Sequence, residues 1–229
     1  MRQVARALRR RLRRFVRPAP VARLRSIVPV SDDFGFDRGT PVDRHYIERF
    51  LAKHAADISG RVLEVKDAAY THRFGRGIDR SDVLDIDAGN TNATFVADLT
   101  RADAVPSDTF DCFILTQTLQ YIPDTKAALL HAHRVLRRNG VILATLPVVS
   151  RFGSLSEVAP DCWRFTPSVC SVLFGAAFGT EHVAVHAHGN LLTCVAFLAG
   201  IACEELDPRD LENDDPAFPL IVTVRAVKS

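Results

Sequence analysis

The chain has 229 residues, 47% hydrophobic and 24% charged, enough for one globular domain with a buried core. That excludes a disordered chain and a disulfide-stapled mini-protein. No apolar run reaches the roughly 18 residues a spanning helix needs, and the most apolar stretch, Leu191 to Cys203, is broken by Thr193 and Gly200.

The net charge of +2 hides an asymmetry. Residues 1–25 hold ten arginines and no acid, while the remainder holds 19 basic against 27 acidic residues. The chain therefore reads as a basic arm, residues 1–30, followed by an acidic domain, residues 31–229. Within the arm Val4, Leu8, Leu12 and Phe15 recur at helical spacing with arginines around them, and Pro18 and Pro20 end the pattern. Such a segment suits an anionic membrane surface or an acidic partner, and otherwise is a solvated tail. The acidity of the domain argues against nucleic acid as the partner. No apolar stretch with a small-residue cleavage site follows the arginines, as a secretory signal would require. The five cysteines, Cys112, Cys162, Cys170, Cys194 and Cys203, form no CxxC pair and sit mostly among apolar residues. A cytoplasmic protein with reduced thiols, peripheral at a membrane if the arm binds one, is the expectation.

From Thr40 onward the pattern is regular. Thr40 as N-cap, Pro41 and Asp43 predict a helix that carries Ile47, Phe50, Leu51 and Ile58 inward as far as Gly60. Short apolar runs then predict strands at Val62 to Val65, Val83 to Ile86, Thr94 to Ala97, Phe110 to Leu115 and Val141 to Leu146. A helix is predicted from Asp124 to Arg138, closed by Asn139 and Gly140. The tail predicts a helix at Pro167 to Phe174, a strand at His182 to His186, a helix at Leu191 to Glu205 and a strand at Leu220 to Val227. Strands alternating with helices predict a mostly parallel α/β sheet covered on both faces.

Open parallel sheets bind ligands at the carboxyl ends of their strands. There the chain places Glu64 in RVLEV, Asp87 in VLDIDAGN, Asp98 in VADL, and the run Thr116-Gln117-Thr118-Leu119-Gln120-Tyr121. An acid after the second strand can take both hydroxyls of a ribose, and one after the third can reach an adenine amino group. No GxGxxG follows any predicted strand, which argues against a dinucleotide oxidoreductase.

The ordered set RVLEV, VLDID, VADL, FDCFILTQTLQYI and LRRNGVILATLP resembles the class I S-adenosylmethionine-dependent methyltransferases (type 11-like), over about residues 40 to 150. The resemblance implies a Rossmann-like seven-stranded sheet and S-adenosylmethionine as cofactor. It implies that Glu64 belongs to the cofactor loop, that Asp87 binds the ribose, that Asp98 and Leu99 border the adenine, and that Thr116, Gln117 and Thr118 line the methionine moiety. LRRNG resembles the family's turn before the fifth strand. The tail is similar to a branch associated with glycan or natural-product sugar modification. The implied reaction is methyl transfer to an oxygen of a small molecule, sugar or glycolipid.

One departure stands out. Where the family has a glycine-rich loop, this chain has Glu64-Val65-Lys66-Asp67-Ala68-Ala69-Tyr70, with no glycine before Gly75. Side chains there narrow the space that glycine leaves for a ligand. The alternative to an enzyme is thus a non-catalytic binding module with a degenerate cofactor loop, attached by its arm. For catalysis, Asp161 and His188 are candidate bases. Trp163 and Arg164 are candidates to hold a sugar or acidic group, and FGFDRGTPVDRHY a candidate lid. His182, His186 and His188 share a strand parity without a fourth ligand, so no metal is expected.

Overall fold

The strands carry apolar side chains of both parities, which forces cover on both faces. In a computed structural model that describes residues 27–152 and 160–229, the cover is helical on each side. Of the arm expected over residues 1–30, residues 1–26 lie outside the described residues. Seven strands, β1 (Gly60–Val65), β2 (Ile78–Asp85), β3 (Phe95–Val96), β4 (Phe110–Thr116), β5 (Leu136–Pro147), β6 (Val183–His188) and β7 (Ile221–Val227), form one sheet in the order β3-β2-β1-β4-β5-β7-β6. β7 runs antiparallel to both β5 and β6, and the other pairings are parallel.

Strand parity sorts the core into two layers. Leu63, Phe113, Leu115, Ile142, Val222 and Val224 meet α3 (Thr125–Val135) and α4 (Pro167–Phe178). Val62, Cys112, Ile114, Leu143 and Ile221 meet α1 (Val42–Lys53) and α5 (Leu191–Ala199). Two short helices, α2 (Ala69–Phe74) and α6 (Pro208–Glu212), are also present among the described residues. No helix among the described residues is long and apolar enough to cross a membrane.

Several boundaries differ from the sequence expectation for identifiable reasons. α1 begins at Val42, and Thr40 does not cap it: the Thr40 hydroxyl and N–H donate to Glu204 instead (2.7 and 2.9 Å). α1 also ends at Lys53, well before Gly60. Arg137 to Gly140 do not close α3 but open β5, with Asn139 turned to φ +64° and its N–H bonded to the Lys228 carbonyl (2.7 Å). The apolar run after Leu191 stops as a helix at Ala199, where Gly200 takes the left-handed conformation. α2 and α6 were not foreseen, since six and five residues are too few to show a helical period.

Candidate active site

The order of the sheet reverses between β1 and β4, and at that point a cavity of about 1040 Å³ opens across the carboxyl ends of β1, β2 and β4. That volume lies at the upper end for small-molecule sites, room for a nucleoside cofactor and a second small ligand. Glu64, Asp87, Asp98, Leu99, Thr116, Gln117 and Thr118 all line it.

Glu64 is buried, and both its oxygens are committed to the start of α2. They accept from the N–H groups of Tyr70 (3.1 Å) and Thr71 (2.8 Å) and from the Thr71 hydroxyl (2.7 Å). Burial raises its pKa, and these bonds offset part of the rise. Glu64 therefore shapes the cofactor loop more than it faces a ligand.

The glycine-free loop solves its geometry at a cost. Lys66 takes φ +72°, the left-handed region that favours glycine, while its side chain stays exposed on the cavity edge. Its carbonyl accepts from Asn90 Nδ2 (2.6 Å), which also donates to Asp85 (2.6 Å), so one amide ties the loops after β1 and β2 together.

β2 ends at Asp85, two residues before the acid expected there. Asp85 spends its carboxylate on Asn90 Nδ2 and on the Asp87 N–H (3.0 Å), whereas Asp87 stands exposed on the cavity wall, held by one bond from the Gly89 N–H (2.8 Å). Ile86, between them, is an exposed apolar side chain lining the cavity. Asp98 accepts from the N–H and hydroxyl of Thr100 (both 2.8 Å), bonds that outweigh burial and lower its pKa.

After β4 the backbone turns sharply, with Gln117 at φ +47°. Gln120, buried, donates from Nε2 to the Gln117 carbonyl (2.9 Å), which can only accept and so fixes which way the Gln120 amide faces. Its Oε1, like Gln117 Nε2, is buried with no hydrogen-bond partner among the described residues.

The second wall was only partly foreseen. Phe36, Gly39, Thr40, Asp43 and Arg44, from the segment read as a lid, line the cavity together with Tyr70, Tyr121 and Ser150. Arg44 donates to the Tyr70 hydroxyl (3.0 Å) and lies over the Phe36 ring (5.8 Å). Burial raises the pKa of Asp43, against the attraction of Arg44. Its helical position at the start of α1 had suggested a capping role, which concealed it.

The two bases and the sugar-binding pair singled out from the sequence lie outside the cavity lining. Asp161 is closed in a bidentate pair with Arg164 (2.5 and 2.9 Å). His188, on the edge strand, is held between Asp214 (3.1 Å) and Thr223 (3.1 Å) and stacks on Tyr46 (6.0 Å); burial lowers its pKa. Trp163 donates from Nε1 to the Ile122 carbonyl (3.0 Å), and the N–H groups of Cys162 (2.8 Å) and Trp163 (3.2 Å) both reach the Gln120 carbonyl. Residues 161–164 therefore strap the loop that carries Gln120. Among the described residues no group of three or more His, Cys, Asp or Glu is placed to hold a metal.

Residues 49–144 match the protein family described as a methyltransferase domain. This stretch, 96 of the 229 residues, is similar to methyltransferase domains, and the seven-stranded fold around it is that of the class I methyltransferases. No curated protein sequence matches the chain. Solved structures give the methyltransferase fold at low identity. A putative S-adenosylmethionine-dependent methyltransferase from Listeria monocytogenes is 11% identical (TM-score 0.53, covering 82% of this chain and 97% of that one). The N-methyltransferase NodS from Bradyrhizobium japonicum, complexed with S-adenosylhomocysteine, is 12% identical (TM-score 0.52, 87% and 93%). A putative methyltransferase complexed with the Trm112 activator of Haloferax volcanii is 17% identical (TM-score 0.53, 82% and 92%).

Proposed function

We propose that the chain transfers the methyl group of S-adenosylmethionine to a hydroxyl oxygen of a small molecule or sugar. The observation that carries the reading is the cavity across the carboxyl ends of β1, β2 and β4, whose wall holds Asp87 and Asp98 together with Thr116, Gln117 and Thr118.

S-adenosylmethionine, when bound, supplies an electrophilic methyl already activated by its sulfonium. The chain's work is then to orient and to exclude water. In this reading Asp87 takes the ribose hydroxyls, Asp98 and Leu99 border the adenine against Ile86, and Gln117 meets the methionine end. Asp43, whose raised pKa brings it nearer to neutrality, is placed to take the proton. It replaces Asp161 and His188 in that role because it faces the cavity and they do not. A non-catalytic module is not favoured, since the loop closes around Lys66 with the cavity still open.

The test is transfer of labelled methyl from S-adenosylmethionine to a panel of sugars, phenols and matched amines. O-methyl products, lost in Asp43→Asn, are expected. Products methylated only on nitrogen would replace the oxygen reading.

A further inference from the structure

Helix α5 is apolar on two sides. Its inner side buries Cys194, Ala196 and Phe197, and the Phe197 ring stacks on Phe34 (5.8 Å) in the cavity wall. Its outer side carries Leu191, Leu192, Val195 and Leu198, still 56%, 47%, 43% and 44% exposed. Spacing of i, i+1, i+4 and i+7 puts these four on one stripe, and a helix apolar all round is ordinarily covered all round.

The segment that follows the helix in sequence is acidic. Residues 204–215 hold seven carboxylates against one base, Arg209. The segment is tied to both ends of α5. Beyond the C-terminal end, Glu205 accepts from the Ala202 N–H (3.0 Å). At the N-terminal end, the Asn190 amide donates to the Asp210 and Asn213 carbonyls (both 2.7 Å), and Asp214 accepts from the Gly189 N–H (2.8 Å). Arg38, Arg49 and Arg209 pair with members of the segment but do not balance it. An apolar stripe on a helix whose two ends are held by an acidic segment disfavours anionic lipid and fits a basic amphipathic segment.

The chain owns such a segment, and it joins the domain at this helix. The Val30 N–H donates to the Ala199 carbonyl at the C-terminal end of α5 (2.7 Å), and Ile27 beside it in sequence is 99% exposed. We propose that residues 4–15 of the same chain cover the outer side of α5, with Val4, Leu8, Leu12 and Phe15 on the stripe and the arginines toward residues 204–215. The lengths agree: Leu191 to Leu198 spans about 10 Å and a helix over residues 4–15 about 16 Å. The eleven residues between reach up to about 35 Å. Phe197 and Phe34 lie on the opposite side of this contact, so the arm braces the cavity wall.

The test replaces Leu12 in the full chain with benzoylphenylalanine, irradiates at nanomolar protein, and maps adducts by mass spectrometry. Intramolecular adducts on residues 191–198 are expected, reduced about tenfold by Val195→Glu, the effect of losing a contact of about 1.4 kcal/mol. Adducts scattered over the domain, formed only between two chains, or formed only with lipid of phosphatidylserine vesicles would overturn the proposal. Amide exchange provides a second readout in a variant that keeps the domain intact. Leu8→Ser/Leu12→Ser should speed exchange in residues 191–199, and unchanged exchange there would contradict the contact.

Discussion

The carboxylate of Glu64 at the end of β1 accepts both the N–H and the hydroxyl of Thr71 in the first turn of α2 (2.8 and 2.7 Å). One side chain thereby joins the strand to the helix that follows the cofactor loop, without any glycine in the loop between them. Glu64→Gln keeps the shape but replaces one acceptor oxygen with a donor facing donors. Leaving a buried N–H unsatisfied costs about 1–3 kcal/mol. Denaturant titration should show that loss, with S-adenosylhomocysteine affinity falling as α2 loosens.

Lys66 at φ +72° sits in a conformation that costs a side-chain-bearing residue about 1–2 kcal/mol. Lys66→Gly removes that strain, although glycine's greater freedom in the unfolded chain takes back part of the gain. A net stabilisation of about 0.5–1 kcal/mol is expected from thermal unfolding. Calorimetry should show S-adenosylhomocysteine binding no weaker than in the parent chain, because the substitution widens the cavity edge.

A pH signature comes from the opposite end of the sheet. Arg225 on β7 donates to both oxygens of Asp57 (2.8 and 2.8 Å), and this bonding lowers the Asp57 pKa. A carboxylate with a lowered folded pKa contributes stability above its unfolded value, near 4, and loses it as pH falls through the folded value. Asp57→Asn should therefore cost about 1–3 kcal/mol at pH 7. The difference from the parent chain should shrink toward zero as pH falls through the lowered folded value, measured by urea unfolding across the range.

The sheet was legible in the sequence because each strand is a short apolar run ended by a turn, and strand-end acids at Glu64, Asp87 and Asp98 marked the cavity side. What escaped was decided by partners distant in sequence. Thr40 looked like a helix cap until Glu204 claimed it, and Asp43 looked like part of the same cap although it faces the cavity. His188 and Asp161 have the chemistry of a base, but Asp214 and Arg164 hold them outside the cavity. Gln120 stands in the run after β4 that the sequence marked, but its burial and its bond to the Gln117 carbonyl depend on the sharp turn at Gln117 and carry no periodic signal.

Asp85 and Asp87 should separate by effect. Asp85→Asn disturbs the turn that Asn90 ties and should lower stability, whereas Asp87→Asn removes charge from an exposed carboxylate on the cavity wall and should leave unfolding within about 0.5 kcal/mol of the parent. Chemical denaturation of the two variants side by side checks this.

The measurement that bears most directly on the account is isothermal titration of the full chain with S-adenosylmethionine and S-adenosylhomocysteine, repeated on Asp87→Ala. Micromolar binding of both, weakened about a hundredfold or more by the substitution as loss of charge-assisted bonds worth about 3 kcal/mol requires, is the predicted result. Absence of binding by a folded parent chain, or equal binding by Asp87→Ala, would contradict it.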